Sequence, residues 1–276
     1  MKTETFVLDA RYPDATLTTY LHTTLKKNET LRSAIIVCPG GGYHGLADHE
    51  GEPIALHYMN AGMNAFVLRY SVGDGAKNYA PVIDAALAVK HVRDHAEEYG
   101  IDSEKIYIGG FSAGGHLAAS CGILWNSRPI REALGIDEGK AAEGVNRPNG
   151  LVLSYPVITG MEYRHAGSFR YLTGKQDPTD EDRKPFSLEY WVDSTTPPVF
   201  IWHTFDDSVV PVRNTLLLLD ALVTHGVPFE SHIYPRGTHG LGFANQETTK
   251  NEKCDPHIET WANLSLGWMK EVERAK

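Results

Sequence analysis

Ile106-Tyr107-Ile108-Gly109-Gly110-Phe111-Ser112-Ala113-Gly114 joins an apolar run to a serine flanked by glycines. Ile106-Tyr107-Ile108 is a short apolar strand, and residues 113–124 read as a helix. Between them, Gly110-Phe111-Ser112-Ala113-Gly114 has the spacing G-x-S-x-G. A strand that turns at once into a helix brings its own backbone close on both sides of the turn, and glycines leave room for that approach. The turn exposes the Ser112 Oγ and sets the next N–H at a helix N-terminus, where it can meet a developing negative charge. An ordinary serine in a glycine-rich turn is the competing reading. The strand before and the helix after argue against it.

On either side of this turn, apolar runs alternate with helical periodicity, the βαβ pattern of a mainly parallel sheet with helices on its faces. Phe6-Val7-Leu8 and Leu17-Thr18-Thr19-Tyr20-Leu21 read as opening strands at an antiparallel edge. Ala34-Ile35-Ile36-Val37-Cys38 and Ala65-Phe66-Val67-Leu68 are continuous apolar runs, as strands covered on both faces require. Residues 53–61 read as a helix closed by Gly62. Pro81 opens a second helix, with Val82, Ala86, Val89, Val92 and Ala96 on one buried face and Gly100 as its C-terminal cap. Leu151-Val152-Leu153-Ser154-Tyr155, Val199-Phe200-Ile201-Trp202 and Phe229-Glu230-Ser231-His232-Ile233-Tyr234 read as the last strands, with a leucine-rich helix over residues 214–225. A final helix starts with Asp255 as N-cap and Pro256 at its first position, with Ile258, Trp261, Leu264, Trp268 and Val272 as its buried stripe. Residues 126–149 and 156–198 are longer than ordinary connections. They are surface excursions or a small cap-like insertion shaping a pocket, since loops at the carboxyl ends of parallel strands carry ligand sites.

Ser112 needs a base, and the base an orienting carboxylate. Asp206 and Asp207 follow one late strand and His239, between Thr238 and Gly240, follows the next. That is the order serine, acid, histidine. The residues alone do not separate Asp206 from Asp207, because neighbours in a loop point differently. His116, His203, His44 and His49 are weaker bases: the first suits local packing, the second supports the acid loop, and the others suit a pocket mouth. Pro39-Gly40-Gly41-Gly42-Tyr43 directly follows the strand ending at Cys38. Glycines there let N–H groups face a cavity, so Gly41, Gly42 and Ala113 are the expected oxyanion donors. No Lys-Ser or Lys-Thr pair follows, which excludes a phosphate-binding P-loop, and Leu46 and Ala47 break a dinucleotide pattern.

The 276-residue chain is 42% hydrophobic and 22% charged, with net charge −9. One α/β domain of this size buries roughly 70–75% of its unfolded surface, so neither disulfides nor a structural metal is expected. The acidic balance argues against nucleic acid or an anionic membrane as partner. Cys38, Cys121 and Cys254 form neither a disulfide framework nor a zinc pattern. With no signal-like start and no run near the roughly 20 apolar residues of a membrane span, a cytoplasmic location is expected. Nothing in the sequence supports a particular oligomer.

Together, Cys38-Pro39-Gly40-Gly41-Gly42-Tyr43, Leu68-Arg69-Tyr70, residues 109–118, residues 202–211 and Gly237-Thr238-His239-Gly240 resemble the α/β-hydrolase esterases. The likeness is to their hormone-sensitive-lipase-like and acetyl-xylan-esterase-like groups. That family's acid precedes the segment x-x-Val-Pro, which falls on Asp207 ahead of Val210-Pro211. The hormone-sensitive-lipase pattern begins with His before its glycines, whereas this chain has Pro39, which favours the sugar-esterase-like branch. The resemblance implies an α/β-hydrolase fold, a Ser112–Asp207–His239 triad, short acyl esters such as acetyl esters of sugars as small-molecule substrates, and no metal or cofactor. Tyr43, His44, Tyr155 and Phe205 are the expected pocket residues. Two alternatives stand beside it. One is a small-peptide hydrolase of the same fold, against which the missing propeller domain counts. The other is a non-catalytic binding relative, against which the intact triad counts.

Overall fold

A computed structural model describes residues 1–23, 31–137 and 143–275. The strands are β1 (Thr5–Val7), β2 (Thr16–Tyr20), β3 (Arg32–Cys38), β4 (Asn64–Arg69), β5 (Ile101–Phe111), β6 (Gly150–Ser154), β7 (Val199–Thr204) and β8 (Phe229–Tyr234). They form one sheet in the order β1-β2-β4-β3-β5-β6-β7-β8. β1–β2 and β2–β4 pair antiparallel, and every later pair is parallel. The main helices are α1 (Glu52–Asn60), α2 (Ala80–Asp94), α3 (Ala113–Ile123), α4 (Ala166–Thr173), α5 (Arg213–Thr224) and α6 (Pro256–Arg274).

Strand side chains alternate between faces, and here they divide the core. Ala34, Ile36 and Cys38 of β3 join α2, α3 and α5 residues such as Val89, Leu117 and Leu218 in one buried cluster. Ile35 and Val37 join Ile54 and Tyr58 of α1 and Trp261 and Trp268 of α6 in the other. Both faces are covered, which is why the central strands read as unbroken apolar runs.

The periodic readings need three corrections. α2 stops at Asp94, because His95 leaves helical geometry (φ −104°, ψ 16°). Ala96–Tyr99 is a separate turn that Gly100 caps with φ 65°. On α6, Ile258, Trp261 and Trp268 are buried as expected, but Leu264 is exposed, and Ala262, Ser265 and Met269 complete the buried stripe. β7 continues two residues past Trp202, so His203 and Thr204 lie inside the strand. Within 156–198, α4 packs against the turn Gly73–Ala76 and the short helix Asp180–Arg183. Phe169, Leu172, Phe186 and Leu188 share the cluster of α2 and α3.

Because β3 and β5–β8 run parallel, their carboxyl ends open at one edge. The glycine loop, Ser112, Tyr155, the Asp206-Asp207 loop and the His239 loop all leave from that edge, where ligand sites of parallel sheets form.

Candidate functional site

Ser112 links β5 to α3 with φ 52° and ψ −116°, a region an L-residue occupies only under constraint. The constraint is visible. The Ser112 N–H donates to the Ser154 carbonyl at 3.0 Å, and the Ser112 carbonyl accepts from His116 (3.0 Å) and Val157 (3.1 Å). A Cβ at Gly110 would stand 2.1 Å from the Gly114 carbonyl oxygen. A Cβ at Gly114 would stand 2.1 Å from the Cys38 oxygen and 2.3 Å from that of Pro39. Both glycines exist because backbone occupies the space a side chain would need.

The Ser112 Oγ lies 2.7 Å from His239 Nε2. His239 Nδ1 lies 2.6 Å from Asp207 Oδ2. A carboxylate only accepts, so Nδ1 carries the proton and Nε2 presents a lone pair to the serine hydroxyl. Asp207 is buried and accepts from the Val209 and Val210 N–H groups at 2.9 and 3.0 Å. Burial raises the pKa of its carboxyl, but the neighbouring His203 and His239 imidazoles and the Val210 N–H outweigh it and hold the group below its ordinary range. His203 donates from Nε2 to the Val210 carbonyl (2.9 Å), accepts from Thr215 (2.8 Å) and stands 3.5 Å from Asp207, bracing the acid loop. Asp206 turns the other way and accepts the Gly237 N–H at 2.6 Å. Of the adjacent pair, Asp207 therefore meets the imidazole and Asp206 ties down the loop that carries it.

Among the described residues, the Gly41 and Gly42 N–H groups use no protein acceptor. Ala113 is the first residue of α3, so its N–H belongs to the set a helix leaves unpaired. The loop is anchored by Glu50, a buried carboxylate with no counterpart in the sequence reading. Its Oε2 accepts the Gly40 N–H at 2.9 Å, and its Oε1 accepts the Tyr155 hydroxyl at 2.6 Å. That hydroxyl accepts the Gly242 N–H (2.9 Å), and the Tyr155 ring lies edge-on to His239 at 5.0 Å. Burial, then the Glu50 charge, raises the Tyr155 pKa well above the ordinary value, so it stays protonated and donates.

The expected pocket residues fall in different places. Tyr43 is fully buried, donates to His116 Nδ1 (2.8 Å) and packs edge-on against Tyr70. It is floor beneath the loop rather than the expected open wall, its ring held in the core by that bond and that contact. Tyr155 is likewise buried, beside the base. Phe205 is 68% exposed. His44 is exposed and lies 5.4 Å from the Tyr171 ring of α4. His116 binds more than its own helix, donating from Nε2 to Phe186 O at 2.8 Å, and burial pushes its pKa down to about 4. His49 donates to Gly240 O at 3.3 Å.

The sequence reading also missed His165, the N-cap of α4. Its Cε1 lies 3.4 Å from the place a Cβ on Gly42 would take. No local pattern marks His165 or Glu50, because each acts across loops distant in the chain. Among the described residues no group of three or more His, Cys, Asp or Glu side chains is arranged to hold a metal ion, and no helix is long and apolar enough to cross a membrane.

The family BD-FAE matches residues 20–222. The chain is similar to endo-1,4-beta-xylanase B of Butyrivibrio fibrisolvens, 42% identical over 83% of this chain and 35% of that protein. It is 33% identical to the acetylxylan esterase of Xylanibacter ruminicola over 76% of this chain and 41% of that protein. The chain thus spans well under half the length of these curated relatives. Among solved structures, an acetyl ester-xyloside bifunctional hydrolase from Caldicellulosiruptor lactoaceticus superposes with TM-score 0.79 at 39% identity, covering 94% of this chain and 88% of that one. A carboxylesterase from Lactobacillus plantarum superposes with TM-score 0.84 at 27% identity, covering 98% of each.

Proposed function

The chain belongs to the BD-FAE family, among the acetyl-xylan-esterase-like esterases of the α/β-hydrolase fold, and from that premise we propose that it is a serine carboxylesterase removing short acyl groups, chiefly acetyl, from sugars. The observation that carries this reading is the line of three groups, 2.7 and 2.6 Å apart, from Ser112 through His239 to Asp207.

His239 Nε2 takes the Ser112 proton as Oγ attacks the ester carbonyl. The N–H groups of Gly41, Gly42 and Ala113 hold the resulting oxyanion. Asp207 orients the imidazolium and balances its charge without taking the proton. His239 then protonates the departing alcohol oxygen, leaving an acyl group on Ser112. A water deprotonated by the same nitrogen releases the acid and restores the serine. The substrate is a small ester. The sugar side of the reading is supported by the xylan-related names of the relatives. The same reading treats residues 1–276 as one catalytic unit, with 126–149 and 156–198 as insertions beside the site. Cys38, Cys121 and Cys254 are unpaired, which suits a reducing compartment such as the cytoplasm.

The test is an ester panel of acetyl, butyryl and octanoyl p-nitrophenyl esters and acetylated xylo-oligosaccharides, run on wild type and Ser112→Ala. The expected result is preference for acetyl and a loss of at least about 10³-fold in the variant. Full activity in Ser112→Ala, or no reaction of wild type with a fluorophosphonate probe, overturns the proposal.

A further inference from the structure

His165 belongs to the segment between β6 and β7 yet reaches the glycine loop. A Cβ at Gly42 would stand 3.4 Å from its Cε1. Its ring is oriented from behind: Nδ1 accepts the Ser168 N–H at 3.3 Å and lies 2.9 Å from the Ser168 hydroxyl. A nitrogen that accepts from a backbone N–H carries no proton, so in the neutral ring the proton sits on Nε2. Among the described residues that Nε2 uses no protein acceptor, and it is not shut away from solvent. Burial, then the nearby His239 charge, lowers the His165 pKa, while Asp207 raises it. The ring is therefore neutral at ordinary pH and close enough to sense His239.

Two features locate what this donor faces. It borders Gly42, one of the proposed oxyanion donors. It is also near enough to feel the charge of His239, the residue whose Nε2 returns its proton to the departing alcohol oxygen. Polar alcohols rich in hydroxyl oxygens gain from a fixed N–H there, whereas an aryl alcohol has little to offer it.

We propose that His165 is a specificity-determining residue whose Nε2–H donates a hydrogen bond to a hydroxyl or ring oxygen of the sugar on the alcohol side of the ester. This rests on the sugar-ester reading given above. Holding the donor from Ser168 lowers the entropy lost on binding. The segment 156–198 thereby contributes a polar contact to recognition.

The experiment compares kcat/KM for acetylated xylo-oligosaccharide and for p-nitrophenyl acetate in wild type and His165→Asn. Asn is a good N-cap and can keep the bond from the Ser168 N–H, but its amide is too short to replace Nε2. The ratio of the two kcat/KM values is expected to fall about tenfold in the variant, the order of one hydrogen bond. A ratio within about twofold of wild type overturns the inference, whether both substrates suffer equally or neither suffers. Wild type that cleaves p-nitrophenyl acetate but not the sugar ester ends the sugar reading and the inference together, so the two failures are distinguishable. Should His165→Asn not fold, the His165 ring signals of Ser112→Ala protein titrated with acetylated xylo-oligosaccharide decide the matter. A shift of the Nε2–H resonance supports the donor, and an unmoved resonance overturns it.

Discussion

Ser112 sits in a turn fixed by backbone against backbone, whereas His239 rides on a loop fixed by side chains reaching in from elsewhere. Around Ser112, carbonyls of Cys38, Pro39 and Gly114 crowd the two flanking glycines. Around His239, Asp206 holds Gly237 N, Thr204 holds Gly237 O, Tyr155 holds Gly242 N, Trp261 holds Gly242 O and His49 reaches Gly240 O. A Cβ at Gly240 would meet nothing within 4 Å. The nucleophile needs one strained, unvarying position, which close packing secures. The base must exchange protons with Ser112 and with a departing alcohol, and a loop tied at several points leaves it that freedom.

The acid pair carries the largest expected effect. Asp207→Asn removes the acceptor that sets the His239 tautomer, and kcat for p-nitrophenyl acetate is expected to fall about 10⁴-fold. Asp206→Asn keeps an amide oxygen for Gly237 N–H and is expected to cost less than about tenfold. The reverse order would exchange the roles of the two carboxylates.

Next come the glycines. Gly114→Ala forces a methyl into carbonyl oxygens and is expected to destabilise by about 4 kcal/mol or more in urea unfolding. Gly240→Ala meets open space and bears only its left-handed φ of 75°, a cost of about 1 kcal/mol. Equal costs would remove the contrast between a packed turn and a tied loop.

Tyr155→Phe keeps the ring beside His239 but strips a partner from buried Glu50 and from Gly242 N–H. A loss of about 1–3 kcal/mol is expected, read as a lower urea midpoint with a several-fold fall in kcat. An unchanged midpoint would mean that the Glu50–Tyr155 link does not hold the two loops.

The smallest effect lies in acid. The Asp207 carboxyl is held below its ordinary pKa in the folded protein. Its contribution to stability is therefore full above the unfolded value of about 3.9 and is lost as pH falls further, through the folded value. The stability gap between wild type and Asp207→Asn should shrink from pH 5 to pH 3. A gap that widens on acidification contradicts the assignment.

What could be read in the sequence follows the same division. The Ser112 turn, the glycine loop after β3 and the order of Asp207 and His239 are local patterns next to strand ends, and strand placement follows from apolar runs covered on both faces. The support around them is not local. Glu50 binds Gly40, 10 positions before it, and Tyr155, 105 positions after it, and nothing near Glu50 announces it. His165 meets Gly42 only after the chain has crossed three more strands of the sheet. Tyr43 follows three glycines at a strand end, where a pocket residue is expected, but its ring is taken up by His116 and Tyr70 in the core, two partners distant in the chain. Leu264 was misplaced because three- and four-residue steps fit more than one stripe on a helix as long as α6, and packing against β6, β7 and β8 selects another. Asp206 and Asp207 are adjacent in the chain, and only the loop's turn separates their tasks.

The 127 positions between Ser112 and His239, against 32 between Asp207 and His239, have a consequence in time. Ser112 follows β5, but its base arrives only once β8 has paired along β7. Parallel pairing closes long loops before it gains contacts, which makes it slow. A refolding chain in which β5 and α3 form before β8 pairs would hold the serine turn with no base to use it. Recovery of ester hydrolysis should therefore trail the recovery of helical signal, and an enzyme assay becomes a clock for the arrival of the last strand.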